Sequence, residues 1–135
     1  MVKRIDFDGI LYAIIIPYNF KANGITFFTP DDFSQQLAYL SHPKGKVIEP
    51  HIHNFVIRQV SYTSEVLFVR KGVVKVNFYN TEKRTVGSEL LKEGDVILLT
   101  SGGHGFEFIE ESELIEVKQG PYIGEQDKIR FQPLD

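Results

Sequence analysis

The chain has 135 residues, is 42% hydrophobic and 13% aromatic, carries 15 basic against 18 acidic residues, and contains no cysteine. Its length and apolar fraction suit one domain with a genuine core. A formal charge of −3 argues against a phosphate-gripping surface, and the missing cysteines exclude a disulfide framework, a thiolate metal site and a thiol nucleophile. The longest apolar run, Ile10 to Ile16, is too short for a membrane span. Lys3 and Arg4 lead into Asp6 and Asp8 rather than a signal core. A soluble, cytoplasmic, single-domain protein is expected, with neither nucleic acid nor membrane as partner.

In chain order, strands are predicted at Leu11–Pro17, Ile25–Thr29, Lys46–His53, Val56–Tyr62, Glu65–Arg70, Val73–Tyr79, Val96–Leu99, Gly105–Ile109 and Leu114–Lys118. Each is short and rich in β-branched or aromatic residues, and most are bounded by Gly, Pro, Asn or Ser. One helix is predicted near residues 30–40. Thr29 offers an N-cap, Pro30 a first-turn proline, Asp31 and Asp32 suit the positive end of the dipole, and Phe33, Leu37 and Leu40 follow at helical spacing. Gly72 marks a hairpin turn, and Asn80–Lys83 and Lys92–Asp95 read as further turns. The tail from Lys118 to Phe131 has no periodicity and is compatible with an arm on a second subunit, a lid or a loose terminus. The pattern points to an all-β sandwich or barrel with the helix at one edge.

Chemistry concentrates around His51 and His53. On a strand, residues two apart share a face, so both imidazoles would point the same way and suit a divalent metal. Taken alone, the pair reads more readily as surface histidines, or as a pair of which only one is buried and hydrogen-bonded. Arg58, Gln59 and Tyr62 follow in the next segment; Arg58 reads either as a clamp for a carboxylate or phosphate or as a solvated arginine. Phe106 and Phe108 share a face with His104 on a regular strand and would give an aromatic wall. The acidic stretch from Glu107 to Glu116 reads as a solvated face.

The neighbourhood adds more. Gly45, His51, His53, Glu65 and Gly72, then Gly94, Gly102 and His104, resemble the two motifs of the cupin superfamily over Gly45 to Phe108. The chain departs from the family pattern in three ways. Eleven residues separate His53 from Glu65, Thr100 stands in place of a proline, and His104 arrives one residue early with no Asn four positions later. The resemblance implies a jelly-roll β-barrel or sandwich, with N-terminal strands and helix over 1–44, the motif region over 45–108, and a C-terminal strand and arm over 109–135. It also implies a divalent ion (Zn, Fe, Mn or Ni) held by His51, His53, Glu65 and His104. Arg58, Gln59, Tyr62, Phe106 and Phe108 would then contact a small-molecule ligand.

A looser likeness to small cupins of surface-polysaccharide and nucleotide-sugar metabolism implies a sugar or sugar-derived acid, and metal-assisted isomerisation or epimerisation, with no base assigned. Alternatives are an Fe(II)-dependent dioxygenase and a non-catalytic ligand-binding module. Cupins commonly dimerise, so a homodimer is expected, with Leu11–Ile16 as a candidate interface element.

Overall fold

The computed structural model describes all 135 residues. The chain is nearly all-β, with ten strands and a single 3₁₀ turn at Gly124–Asp127. The strands are β1 (Lys3–Phe7), β2 (Ile10–Ile16), β3 (Gly24–Phe27), β4 (Ala38–Ser41), β5 (Glu65–Lys71), β6 (Val73–Tyr79), β7 (Thr85–Lys92), β8 (Val96–Leu99), β9 (Gly103–Phe108) and β10 (Glu113–Lys118). They divide into two compact units, one comprising Met1–Phe20 with Thr63–Asp135 and the other Lys21–Tyr62.

The first unit is a β-sandwich rather than a closed barrel. One sheet has five antiparallel strands in the order β1-β2-β8-β5-β10, and the facing sheet has three in the order β7-β6-β9. Alternation produces the core. Val74, Val76 and Phe78 of β6 are buried while the residues between them are not, and Leu67 and Val69 of β5 turn inward beside Ala13, Ile15, Ile97 and Leu99. Phe78 packs against the touching rings of Phe7 and Tyr12, with centroids 6.1 and 6.3 Å away. The β2 segment is buried on both faces from Ala13 to Ile16 and flanked on both edges. It cannot form the interface element expected for Leu11–Ile16, because its backbone and side chains are already used within the chain.

Turn chemistry joins the sheets. The carboxylate of Asp95, buried in the β7–β8 turn, accepts hydrogen bonds from the amides of Tyr18 at 2.8 Å and Lys92 at 2.9 Å. Gly72, at φ 91°, makes the β5–β6 turn, where a Cβ would overlap Ser112 and the carbonyl of Glu111. The C-terminal arm is not a loose end. Phe131 packs edge-on against Tyr79 with centroids 5.4 Å apart, and the Leu134 amide donates to the Lys83 carbonyl at 3.0 Å. Asp135 closes it by accepting from the amide and hydroxyl of Thr85.

In the second unit β3 and β4 form a two-stranded antiparallel hairpin. The helix expected near residues 30–40 is absent; a turn-rich loop and β4 occupy that span. Thr29 acts not as an N-cap but as a loop clasp. Its hydroxyl donates to Gln36 Oε1 at 2.8 Å and accepts from the Leu37 amide, while Gln36 Nε2 donates to the carbonyls of Pro30 and Phe33. These bonds reach across the loop instead of along a helix axis, and Phe28 pairs with Leu37 to seed the hairpin. The strands expected at Lys46–His53 and Val56–Tyr62 belong to no sheet. From His42 to Tyr62 every residue is exposed.

Candidate functional site

Two strands on opposite sheets of the sandwich bring a carboxylate and an imidazole into contact. β5 begins at Glu65, which lies inward like Leu67 and Val69 and is paired with Leu99 on one side and Lys118 on the other. On the facing sheet β9 places His104 opposite Phe78 and Phe106 opposite Val76, so both side chains take the inward row. His104 Nε2 and Glu65 Oε2 meet at 3.0 Å, with the side chains 28% and 15% exposed, neither in open water nor sealed off.

The local sequence explains the placement. Gly102, at φ 69°, lays the turn before β9 flat against Tyr12, whose ring a Cβ would overlap, and Gly103 sits under Phe131. The His104 ring lies 5.6 Å from that of Phe106, which packs on the core. One wall of the pair is therefore aromatic.

The electrostatics are equally specific. The hydrogen bond from His104 holds the Glu65 carboxyl below the ordinary carboxylate range; burial pushes the other way, and the charges of His104, Lys118 and Lys128 add to the lowering. A carboxyl depressed in the folded state contributes stability that is present above its unfolded value and is lost as pH falls through the folded one. Thermal melts from neutral pH down through the carboxylate range should therefore show a steeper acid-side loss for the native chain than for Glu65→Gln. Equal slopes would mean that the pair contributes nothing to folding.

The other expected site residues fall elsewhere. His51 and His53 lie side by side in the second unit, with ring centroids 5.3 Å apart, both exposed, and His51 Nδ1 within 2.9 Å of the Glu49 carbonyl. Arg58, Gln59 and Tyr62 are exposed on the same irregular segment, and Phe108 is exposed at the end of β9. No group of three or more His, Asp or Glu side chains gathers within the range of one metal ion. The structure thus offers two pairs, Glu65 with His104 and His51 with His53.

Lys118 and Lys128 were not singled out from the sequence. Lys118 reaches Glu65 only through the β5–β10 register, and Lys128 only through the arm's path, so no local motif announces either. Gln119 donates its amide to the Ser64 carbonyl at 3.2 Å and leaves its side-chain oxygen buried without a partner. Glu107, as expected of a solvated face, bonds Asn77 at 2.9 Å and pairs with Lys75.

Fold and site together define an all-β sandwich bearing a half-buried carboxylate–imidazole pair at one end. No helix in it is long and apolar enough to cross a membrane. No family model, curated protein or solved structure matches the chain.

Proposed function

We propose that this is a cupin-type metal-binding protein that acts on a small polar ligand, a sugar or sugar-derived acid, by metal-assisted isomerisation or epimerisation. The observation that carries the reading is the Glu65–His104 pair. Two donors each about 2.1 Å from one ion, and at right angles to each other, stand about 3 Å apart, and this pair is separated by 3.0 Å. Imidazole nitrogen with carboxylate oxygen suits Zn, Fe, Mn or Ni. His51 and His53 supply the remaining two ligands in this proposal, completing three nitrogens and one oxygen.

A divalent ion bound there would polarise a substrate carbonyl. The chain's own groups do the rest. Lys118 and Lys128 bring positive charge toward Glu65 and favour an anionic ligand. Phe106 supplies a flat apolar face on which a sugar ring can lie, and the Gln119 oxygen accepts from a hydroxyl. Arg58, Gln59, Tyr62 and Phe108 are the further ligand contacts on this reading.

The test is elemental analysis of protein purified without chelator or nickel resin, beside the His51→Ala, His53→Ala double variant. Near-stoichiometric metal in the native chain and its loss in the variant is the expected result. Metal-free protein that stays empty after each ion is added back would overturn the reading. Turnover under strict anaerobiosis would exclude the dioxygenase alternative.

A further inference from the structure

The two sheets of the sandwich do not match in width. Lys3 of β1 reaches Glu89 of β7 at 3.3 Å, Tyr12 of β2 meets Phe78 of β6 edge-on, and Glu65 of β5 meets His104 of β9. Strands are thus opposed across the sandwich from one edge inward until β9, the last strand of its sheet. Beyond it β10 has no strand facing it, and the outer edge of β9 is unpaired. At that end the inward row of β9 ends on Phe108, 62% exposed.

The same chain holds a segment of strand composition that joins no sheet. From Val47 to Tyr62 no main-chain amide is hydrogen-bonded to another main-chain group. Yet the segment contains Val47, Ile48, Ile52, Phe55, Val56, Ile57 and Val60, with Ile52 93% and Phe55 92% exposed. So much apolar surface on a run with no main-chain partner is a mark of an interaction segment. In extended form His51, His53, Phe55 and Ile57 fall on one face, two imidazoles and two apolar residues. The inward row of β9 is His104, Phe106 and Phe108, one imidazole and two apolar residues.

We infer that residues 47–62 of one copy pair with the free edge of β9 in a second copy, reciprocally, and so complete the second sheet of each sandwich across from β10. An exposed edge and an unpaired segment of strand composition are the ingredients of a swapped dimer, and a reciprocal two-fold exchange uses both segments and both β9 edges, so it closes at two copies. The exchange sets His51 and His53 of each copy at the Glu65–His104 end of the other. It makes the site a composite of two chains. That last consequence rests on the proposed metal reading; the pairing of segment and edge does not.

The experiment is run in chelator, so that metal plays no part. Sedimentation of the full chain is expected to give twice the 15.5 kDa chain mass, and a monomer on dilution. Amides 47–62 are expected to exchange at least about 100-fold more slowly in the concentrated dimer than in the dilute monomer. The Phe55→Asp, Ile57→Asp variant, altered only at exposed positions, is expected to be monomeric with its far-ultraviolet strand signal intact.

A chain that is monomeric at every concentration would overturn the inference. So would a dimer whose amides 47–62 exchange freely, or a double variant that remains dimeric. A dimer of the expected kind that then fails to take up metal would leave the exchange standing and remove the metal reading alone.

Discussion

Phe78→Ala should unfold with roughly 3–5 kcal/mol less stability than the native chain, in the range for emptying a buried phenylalanine site. Phe78 is 1% exposed and stands where β6 meets Phe7 and Tyr12, so its removal opens a void between the two sheets that neither can close without breaking its own ladder. Against a total stability of about 5–15 kcal/mol the change is large, and a melting temperature lower by roughly 10 °C or more follows. Leu90→Ala on the solvent face of the neighbouring strand, at a residue 62% exposed, is the matched control and should stay within about 0.5 kcal/mol. Urea titration of the three proteins decides the matter. A loss under about 1 kcal/mol for Phe78→Ala would mean that the sheets do not share one core.

His104→Ala should weaken divalent-metal binding by about 100-fold or more, beyond the 10–100-fold typical of losing a mere outer-shell partner. His104 is the one histidine in the sandwich unit, so no neighbouring imidazole can take its place. The variant also frees Glu65 of its hydrogen bond, leaving a half-buried carboxylate beside Lys118 and Lys128. Titration with each of Zn, Fe, Mn and Ni by calorimetry gives the affinities, and the far-ultraviolet spectrum checks that the sandwich persists. Unchanged affinity would remove His104 from any metal centre.

Much of the sandwich is legible in the sequence because its strands are half-buried and alternate. Val73–Tyr79 matches the observed β6 for that reason, Val96–Leu99 matches β8 as a short apolar run after a turn, and Gly72 is readable as a hairpin turn because the chain there needs a positive φ. The strands that escape notice are those whose pattern is masked. β1 alternates, but under Lys3, Arg4 and Asp6; β7 mixes Gly87, Ser88 and Glu89 among its apolar residues; β4 lies inside a stretch with helical spacing. That stretch misleads because Thr29 and Gln36 bond across a loop, a choice that tertiary context makes and spacing does not reveal.

Residues 46–62 carry strand composition without a sheet, since composition records an appetite for pairing and not where the partner edge lies. For the site, motif spacing singles out Glu65 and His104, 39 residues apart, and the fold brings them into contact. The lysines beside them depend on register and on the arm, which no short motif encodes.

The exposed run from His42 to Tyr62 also bears on how the chain can be cut and rejoined. β1 and β2 come from before it, while β5, β8 and β10 come from after it, yet all five share one sheet, joined where β2 is bonded directly to β8. A break in the run severs covalent continuity without parting any ladder of that sheet. The sandwich is therefore a natural two-fragment protein. Its front and back pieces meet in the β2–β8 ladder independently of the covalent link between them, and new termini placed in this run would leave that ladder in place.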